Sequence, residues 1–209
     1  LQQVSSGKLG FGASRTMQIA QRLYQGIEIN GETIGLITYM RTDGTNLSSD
    51  AISSFRDYIN KEYGKEYLPP EPLNYSGKKA KNAQEAHEAI RPTDIMRSSD
   101  SIKKYLSTDQ YKLYDLIWSR ALSSQMESAK FDRNTITINS DDDKTVSKAT
   151  GSVIKFDGFL KIIKEKKKDE DENILPEVLK GPVNIENFIE EQHFTQPPPR
   201  YSEASLVKK

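Results

Sequence analysis

A tyrosine and an arginine two positions apart, in the stretch TYMRTDGTN, could act together on a phosphate. If this stretch is an extended strand, Tyr39, Arg41 and Asp43 lie on one face, with alternate Cα atoms about 6.5–7 Å apart. One phosphate fits between a phenol and a guanidinium at that spacing. The phenol could then attack phosphorus while Arg41 binds the non-bridging oxygens and Asp43 orients the arginine or a hydroxyl. The alternative from spacing alone is a tyrosine packed in the core beside a surface ion pair.

A histidine and an arginine four residues apart, in QEAHEAIRPTD, form a second candidate group. On a continuous helix His87 and Arg91 would share a face, but Pro92 disfavours helical geometry at Arg91. Together these side chains can hold a phosphate, and a histidine can transfer a proton near neutral pH. The alternative is a helix in which His87 binds a carbonyl group or Glu88. The other histidine, His193, has no obvious partner and is interpreted as structural.

The stretch YLPPEPLNYSGKKAKN has the composition of a surface loop, with three prolines, a glycine and a basic cluster. Its Lys78, Lys79 and Lys81 could contact DNA phosphates. The whole chain carries 30 basic and 30 acidic residues, so no global field attracts nucleic acid. Any contact with DNA must therefore be local or be helped by other parts of a longer protein.

Helical periodicity and capping residues predict a mainly helical region up to residue 127. The helices are expected from Ser14 to about Tyr24, after a cap at Ser48 or Ser49, over NAQEAHEAI, and from Ser107 with Gln110 completing a capping box. The Asn30-Gly31 turn signal and the run IGLITYMR predict a buried strand that carries Tyr39.

Beyond residue 127 the sequence changes to short β-branched segments. These are NTITINS, TVSKATGSVIKF, FLKII and PVNIENFI, separated by turns and by the charged run KEKKKDEDEN. They predict an all-β region over residues 128–195, so the fold class is α+β. The final stretch PPPRYSEASLVKK stops just after Ser202 offers a helix cap, and the chain begins with Leu1 rather than methionine, so we expect a longer parent protein.

Composition excludes several classes of protein. The chain has no cysteine, which rules out a disulfide framework and thiolate metal sites and is compatible with a reducing cytoplasm. No apolar run approaches the roughly 20 residues that a membrane-spanning helix needs, so no membrane partner is expected.

Five stretches, in order along the chain and at matching spacing, resemble the type IA DNA topoisomerases. They are LGFGASRTMQIAQRLY, GLITYMRTDGTNLSSDA, YLPPEP, QEAHEAIRPTD and QHFTQPPPRYSEASLVK, and the resemblance covers residues 1–209. The methionine and TDGTN after Tyr39 are more similar to the bacterial topoisomerase I branch than to the topoisomerase III branch, in which proline is usual between the tyrosine and the arginine.

The resemblance implies an ATP-independent enzyme that binds single-stranded or negatively supercoiled DNA. It would cut one strand through a 5′-phosphotyrosine bond, pass the other strand and reseal the break. Tyr39 matches the nucleophile, Arg41 the arginine that positions the scissile phosphate, and His87 a histidine that assists nearby. Asp43 and Arg91 fall inside matching motifs and are expected to support the site or bind DNA. A cytoplasmic, nucleoid-associated bacterial protein is expected.

The resemblance also implies a domain layout. Residues 1–127 would form a mainly helical, winged-helix-like tyrosine domain, residues 128–195 part of a β-rich arch, and residues 196–209 the start of a segment returning to the base. The family binds Mg²⁺ in an acidic N-terminal domain, the Toprim fold, that has no counterpart in this sequence. We therefore expect no metal site here, contacts with other domains of the same parent chain, and little or no relaxation activity from the isolated 209 residues.

Two other functions are compatible with the sequence. One is a non-catalytic module that binds single-stranded DNA, in which the three lysines contact phosphates and Tyr39 only stacks on a base. The other is a hinge or interaction module without DNA affinity, in which the β region and its charged run matter most. The balanced charge favours these alternatives for the isolated chain.

Overall fold

The computed structural model describes residues 1–75, 87–142, 144–163, 175, 178–184, 187 and 189–208. The helices in this part of the chain are α1 (Gln2–Leu9), α2 (Ala13–Gln25), α3 (Ser49–Glu62), α4 (Ser99–Ile102), α5 (Thr108–Ser123) and α6 (Glu203–Lys208). The strands are β1 (Ile27–Ile29), β2 (Glu32–Ile34), β3 (Lys130–Asn139) and β4 (Val146–Phe156). Single 3₁₀ turns cover Lys65–Tyr67, Lys103–Tyr105 and Gly158–Lys161. The α+β class is confirmed.

The chain divides into two compact units. The first comprises Leu1–Glu127, Gly158–Ile163 and Tyr201–Lys209, and the second comprises Ser128–Asp157 and Lys164–Arg200. Within the described residues, every helix is too short or too polar to cross a membrane.

A single hydrophobic core holds the first unit together. Its fully buried members come from α2, α3, α5 and the segment after β2, and include Leu23, Leu36, Ile37, Phe55, Ile59, Leu113, Tyr114 and Leu122. The polar ends of two buried aromatics are paired, since Tyr114 donates to the Arg97 carbonyl at 2.7 Å and Trp118 to the Ile95 carbonyl at 3.0 Å. These bonds attach the turn before α4 to the middle of α5.

Side-chain caps fix two of the helix starts as the sequence predicts. The Ser48 hydroxyl accepts a hydrogen bond from the Ala51 amide at the start of α3. At α5, Ser107 and Gln110 form both bonds of the predicted capping box. Both predictions are confirmed. Such caps can be predicted from the sequence because the interacting residues are only three positions apart.

Helix α2 begins two residues earlier than the predicted cap at Ser14 implies. Its N-cap is Gly12, which has no side chain, and the Ala13 amide instead donates to a carboxylate oxygen of Glu203 at 3.1 Å. A carboxylate at the positive end of a helix replaces the cap expected from Ser14. The helix that Ser202 was predicted to cap is present as α6, and its Ser205 amide donates to the Ser202 hydroxyl.

The predicted Asn30-Gly31 turn joins β1 and β2 in a hairpin. Both residues have positive φ, 53° for Asn30 and 87° for Gly31, as a two-residue hairpin turn of this kind requires. The strand predicted from IGLITYMR is wrong beyond Ile34, where β2 ends. Beyond Ile34 the segment pairs with another part of the described chain only at the isolated Ile37–Pro92 bridge, and the chain bends at Thr38.

The described β structure of the second unit is one antiparallel hairpin, in which β3 pairs with β4. The strand predicted over FLKII is wrong. FLKII forms a 3₁₀ turn of the first unit, because the Phe159 amide donates to the Glu127 carbonyl at 2.9 Å and Ile162 is buried in the core. The described residues of PVNIENFI form no strand.

The buried side chain of Gln125 binds the loop around Leu73 to the end of α5. Its amide oxygen accepts from the Leu73 amide at 3.2 Å, and its amide nitrogen donates to the Leu73 carbonyl at 2.8 Å. Two residues on, Tyr75 donates from its hydroxyl to the Ser124 carbonyl and accepts at its own carbonyl from Thr45. This loop therefore links the end of α5 to the TDGTN stretch.

We predict that Gln125→Ala destabilises the chain by about 1–3 kcal/mol, because it leaves both backbone groups of Leu73 without a partner in a partly buried place. Urea unfolding followed by circular dichroism measures the change. The exposed Gln3 of α1 supplies a matched control, and Gln3→Ala should change stability by less than about 0.5 kcal/mol. Equal effects of the two substitutions would contradict this role for Gln125.

Candidate active site

The candidate nucleophile Tyr39 is partly buried between two other rings. Its ring centroid lies 5.0 Å from that of His87, with the planes tilted by 39°. On another side the Tyr24 ring approaches at 5.5 Å in an edge-on arrangement. Tyr24 is in the last turn of α2, so a helix anchored in the core supports one side of Tyr39. The structure thus brings together two of the three predicted catalytic side chains.

Backbone hydrogen bonds explain why these two side chains meet. The Thr38 amide donates to the Arg91 carbonyl at 2.9 Å, and the Thr93 amide donates to the Leu36 carbonyl at 3.0 Å. Between these bonds Ile37 pairs with Pro92 as an isolated antiparallel bridge. The segment before Tyr39 therefore lies alongside the segment after His87, although about 50 residues separate them in sequence.

The Thr38 side chain adds two more bonds to the same segment. Its hydroxyl donates to the Ala89 carbonyl at 2.8 Å and accepts from the Arg91 amide at 3.0 Å. The segment 87–90 is not helical, so the helix predicted over NAQEAHEAI is wrong for these residues, and its first part lies outside the described chain. Pairing with Thr38 occupies the backbone groups that a helix would use.

The TDGTN stretch contacts the His87 segment from another side. The Ala89 amide donates to the Asn46 carbonyl at 2.8 Å. A Cβ built on Gly44 would lie far inside van der Waals contact of the His87 carbonyl oxygen, and 3.3 Å from the backbone carbon of Glu88. Glycine at position 44 is therefore required by this close approach and not by an unusual backbone angle.

Arg91 is bound within the protein through a two-pronged ion pair with Glu88. Its Nε and one terminal nitrogen donate to the two carboxylate oxygens at 2.9 and 2.8 Å, and the other nitrogen donates to the Pro92 carbonyl at 2.9 Å. Burial opposes ionisation of Glu88, but the bonds and charge of Arg91, with the Ser48 amide, outweigh it and hold the pKa below the ordinary 4.5. These contacts tie the His87 segment to the start of α3.

The two charged residues after Tyr39 are exposed. Within the residues that the structure describes, neither Arg41 nor Asp43 forms an ion pair. The extended strand proposed to align them with Tyr39 is absent, because the chain bends at Met40 and Arg41. Arg41 is nevertheless two residues from Tyr39 and available to an incoming phosphate.

The remaining predicted site residues lie elsewhere. Lys78, Lys79 and Lys81 fall in residues 76–86, outside the described part of the chain. His193 is exposed and forms an ion-pair contact with Glu191 at 3.1 Å. The described residues contain no group of three or more acidic or histidine side chains that could hold a metal ion, so they do not fit the Mg²⁺ that the family resemblance implies.

Sequence reasoning missed four residues that build this site: Tyr24, Thr38, Gly44 and Glu88. From sequence, Tyr24 is only the approximate end of the first predicted helix, and Thr38 is one residue of the predicted strand IGLITYMR. A threonine directly before the candidate nucleophile was the available signal for Thr38. The close approach at Gly44 could not be predicted from the neighbouring sequence, in which the glycine is the only indication.

Comparisons with known proteins settle the family. The sequence model of a family described as DNA topoisomerase matches residues 1–209. The chain belongs to the DNA topoisomerase family. It is 54% identical to DNA topoisomerase 1 of Rickettsia felis over 100% of its length and 27% of that protein. It is 47% identical to DNA topoisomerase 1 of Xylella fastidiosa strain 9a5c, again over its full length and over 26% of that protein.

A solved structure of the family shares the fold. Full-length topoisomerase I from Thermotoga maritima matches with a TM-score of 0.80 and 38% identity, over 99% of this chain and 32% of that one. The chain thus spans about a quarter of the length of the curated relatives named here. The resemblance stated from the five sequence stretches is confirmed.

We predict that Gly44→Ala disturbs this candidate site, because the new methyl group must push the His87 backbone away. Unfolding in urea should show a loss of about 1–3 kcal/mol. Gly7, in α1, has nothing within 4 Å of a built Cβ, and Gly7→Ala should instead stabilise by about 0.5–1 kcal/mol. Two substitutions of the same sign would contradict the close approach at position 44.

We also predict that Glu88→Gln changes how stability depends on pH. The folded-state pKa of Glu88 is lowered, so its ionised form stabilises the fold fully above the unfolded value near 4.5, and this contribution is lost as the pH falls through the lower folded value. The stability advantage of the parent chain over Glu88→Gln should therefore be present near pH 7 and shrink below pH 4.5. Urea unfolding across that range measures it, and a constant difference would be inconsistent with the ion pair.

Proposed function

We propose that this chain is the tyrosine-bearing part of a type IA DNA topoisomerase, which relaxes negatively supercoiled DNA by transient cleavage of one strand, strand passage and resealing. The observation that carries the proposal is the Tyr39 ring held at 5.0 Å from the His87 ring, with the exposed Arg41 two residues further along the chain. The family membership and the two curated relatives named above, both bacterial DNA topoisomerase 1 proteins, support it.

The proposed chemistry exchanges one phosphate ester for another. The phenolic oxygen of Tyr39 attacks the phosphorus, an O–P bond to tyrosine forms, and the bond from phosphorus to the 3′ oxygen of the preceding nucleotide breaks. A base accepts the phenol proton, and an acid donates a proton to the departing 3′ oxygen. The reverse attack by the 3′ hydroxyl reseals the strand. A phenol leaves more readily than an alcohol, so no ATP is needed.

The neighbouring side chains have separate roles in this proposal. Arg41 binds the non-bridging oxygens of the scissile phosphate and offsets the charge that develops there. His87 transfers a proton at the reacting oxygens, as its contact with the Tyr39 ring allows. Asp43 supports the phosphate site, and Arg91, bound to Glu88, supports it by holding the His87 segment. The lysines at 78, 79 and 81 are proposed DNA contacts.

The rest of the reaction depends on other parts of a longer protein. We place the family's Mg²⁺ outside these 209 residues, in an acidic N-terminal domain, and the passing strand among domains of the same parent chain. The assignment of residues 128–195 to an arch and of 196–209 to a segment returning to the base also remains a prediction. A bacterial, cytoplasmic, nucleoid-associated enzyme fits this function.

Tyr39→Phe tests the proposal in the full-length protein that contains this chain. Incubation with Mg²⁺ and end-labelled single-stranded DNA should give a covalent protein–DNA adduct with the parent protein and none with Tyr39→Phe, since the variant lacks the attacking oxygen. Tyr63→Phe, a partly buried tyrosine that packs against Tyr58 and Tyr67, is the matched control and should form the adduct normally.

An adduct that persists in Tyr39→Phe would overturn the assignment of the nucleophile. Equal, salt-sensitive DNA binding by both proteins, with no adduct from either, would favour the non-catalytic DNA-binding module instead. The 209-residue chain alone, assayed in parallel for plasmid relaxation, shows whether the missing parts are needed.

A further inference from the structure

The Thr38 hydroxyl makes two hydrogen bonds, one as donor and one as acceptor, that few other side chains could make in its place. It donates to the Ala89 carbonyl at 2.8 Å and accepts from the Arg91 amide at 3.0 Å, while the Thr38 amide donates to the Arg91 carbonyl. One residue thus satisfies three backbone groups of the opposing segment. Only serine and threonine have a short side chain whose single oxygen both donates and accepts.

These bonds lie at short chain distance from both proposed reactive side chains. Thr38 immediately precedes Tyr39, and Ala89 follows His87 by two residues. The Ala89 amide also donates to the Asn46 carbonyl. Both backbone polar groups of Ala89 are therefore hydrogen-bonded, one to Thr38 and one to Asn46, and they restrain the backbone next to His87. A shift of this backbone therefore moves the His87 ring relative to the Tyr39 ring, which lies 5.0 Å away.

The surroundings do not replace Thr38 if its hydroxyl is lost. The bonds of the hydroxyl are partly buried, so the Ala89 carbonyl and Arg91 amide would lack both protein and full water contact. The Ile37–Pro92 bridge and the bond from Thr93 to Leu36 would still hold the far end of the segment. The expected consequence is a displaced His87 end on a chain that remains folded.

We propose that Thr38 is a positioning residue for the phosphoryl transfer: its hydroxyl sets the distance between the Tyr39 and His87 rings by fixing the backbone from Ala89 to Arg91. This inference rests on the proposed function, because it assigns Thr38 an effect on the same reaction. Thr38 acts through His87 and touches neither the phosphate nor the leaving oxygen.

The test uses two substitutions at position 38 in the full-length protein. Thr38→Val keeps the shape but removes the hydroxyl, and the rate of adduct formation on single-stranded DNA should fall by roughly 10- to 100-fold while DNA affinity is unchanged. Thr38→Ser restores the donor and acceptor, and should return the rate to within about threefold of the parent protein. Loss of the rate in both variants would overturn the proposal.

Thr93→Val is the matched control for a general loss of stability. The Thr93 hydroxyl donates to the Gly35 carbonyl at 2.7 Å, so this change also removes a hydrogen bond between the same two segments, at the end remote from His87. Its adduct rate should stay within about threefold of the parent. Melting temperatures of both valine variants show whether they lose similar stability. A rate loss as large in Thr93→Val would overturn the positioning role.

A double-mutant cycle with His87→Ala tests whether Thr38 acts through the histidine. If it does, Thr38→Val should lower the rate of the His87→Ala protein by less than about threefold, because the ring that it positions is absent. An undiminished loss in that background would contradict the proposal. Tyr39→Phe separates the two levels: an adduct surviving in that variant overturns the proposed function, whereas its loss together with a normal Thr38→Val rate overturns only the role of Thr38.

Discussion

The mutual hydrogen bonding of two irregular segments, residues 35–38 and 89–93, is the constraint on which the rest of the site depends. Backbone groups that are removed from water need partners, and here no continuous sheet or helix supplies them. The two backbone bonds that flank the Ile37–Pro92 bridge and the two bonds of the Thr38 hydroxyl supply them instead, and the lack of a side chain at Gly44 leaves room for the His87 backbone. Regular elements surround this irregular center: Tyr24 projects from α2, and Ser48 connects Glu88 to the start of α3.

The sequence predicted those parts of the fold that are determined over short distances. The cap at Ser48, the capping box at Ser107 and the Asn30-Gly31 turn each depend on neighbours within a few residues, and each is present. Predictions failed where a distant segment decided the conformation. IGLITYMR has strand composition, but its partner lies about 50 residues away and pairs with it at one bridge only. FLKII also has strand composition, but the core buries Ile162 in a 3₁₀ turn.

The candidate site shows the same division. Residue types and motif order identified Tyr39, Arg41 and His87, and the structure places the first and last of these in ring contact. The predicted geometry, with Tyr39 and Arg41 on one face of an extended strand, is absent. The helix imagined for His87 is absent as well. The segments that carry Tyr39 and His87 are held instead by the Thr38 hydroxyl, Gly44 and the Glu88 carboxylate. The partners in these contacts are about 40 to 50 residues away in sequence, and one sequence read by itself gives no direct sign of such contacts.

In the proposed function, charge compensation within the chain limits which cations could bind a phosphate. The chain has as many acidic as basic residues, and several arginines of the first unit are already neutralised by a carboxylate: Arg15 by Asp109, Arg91 by Glu88 and Arg97 by Asp94. A guanidinium that must leave a carboxylate to bind a phosphate gains little, because one charged partner replaces another. Within the described residues Arg41 has no such partner. In the proposed function, Arg41 is therefore one of the described cations without a carboxylate partner that could bind a phosphate, and it is the one two residues from Tyr39.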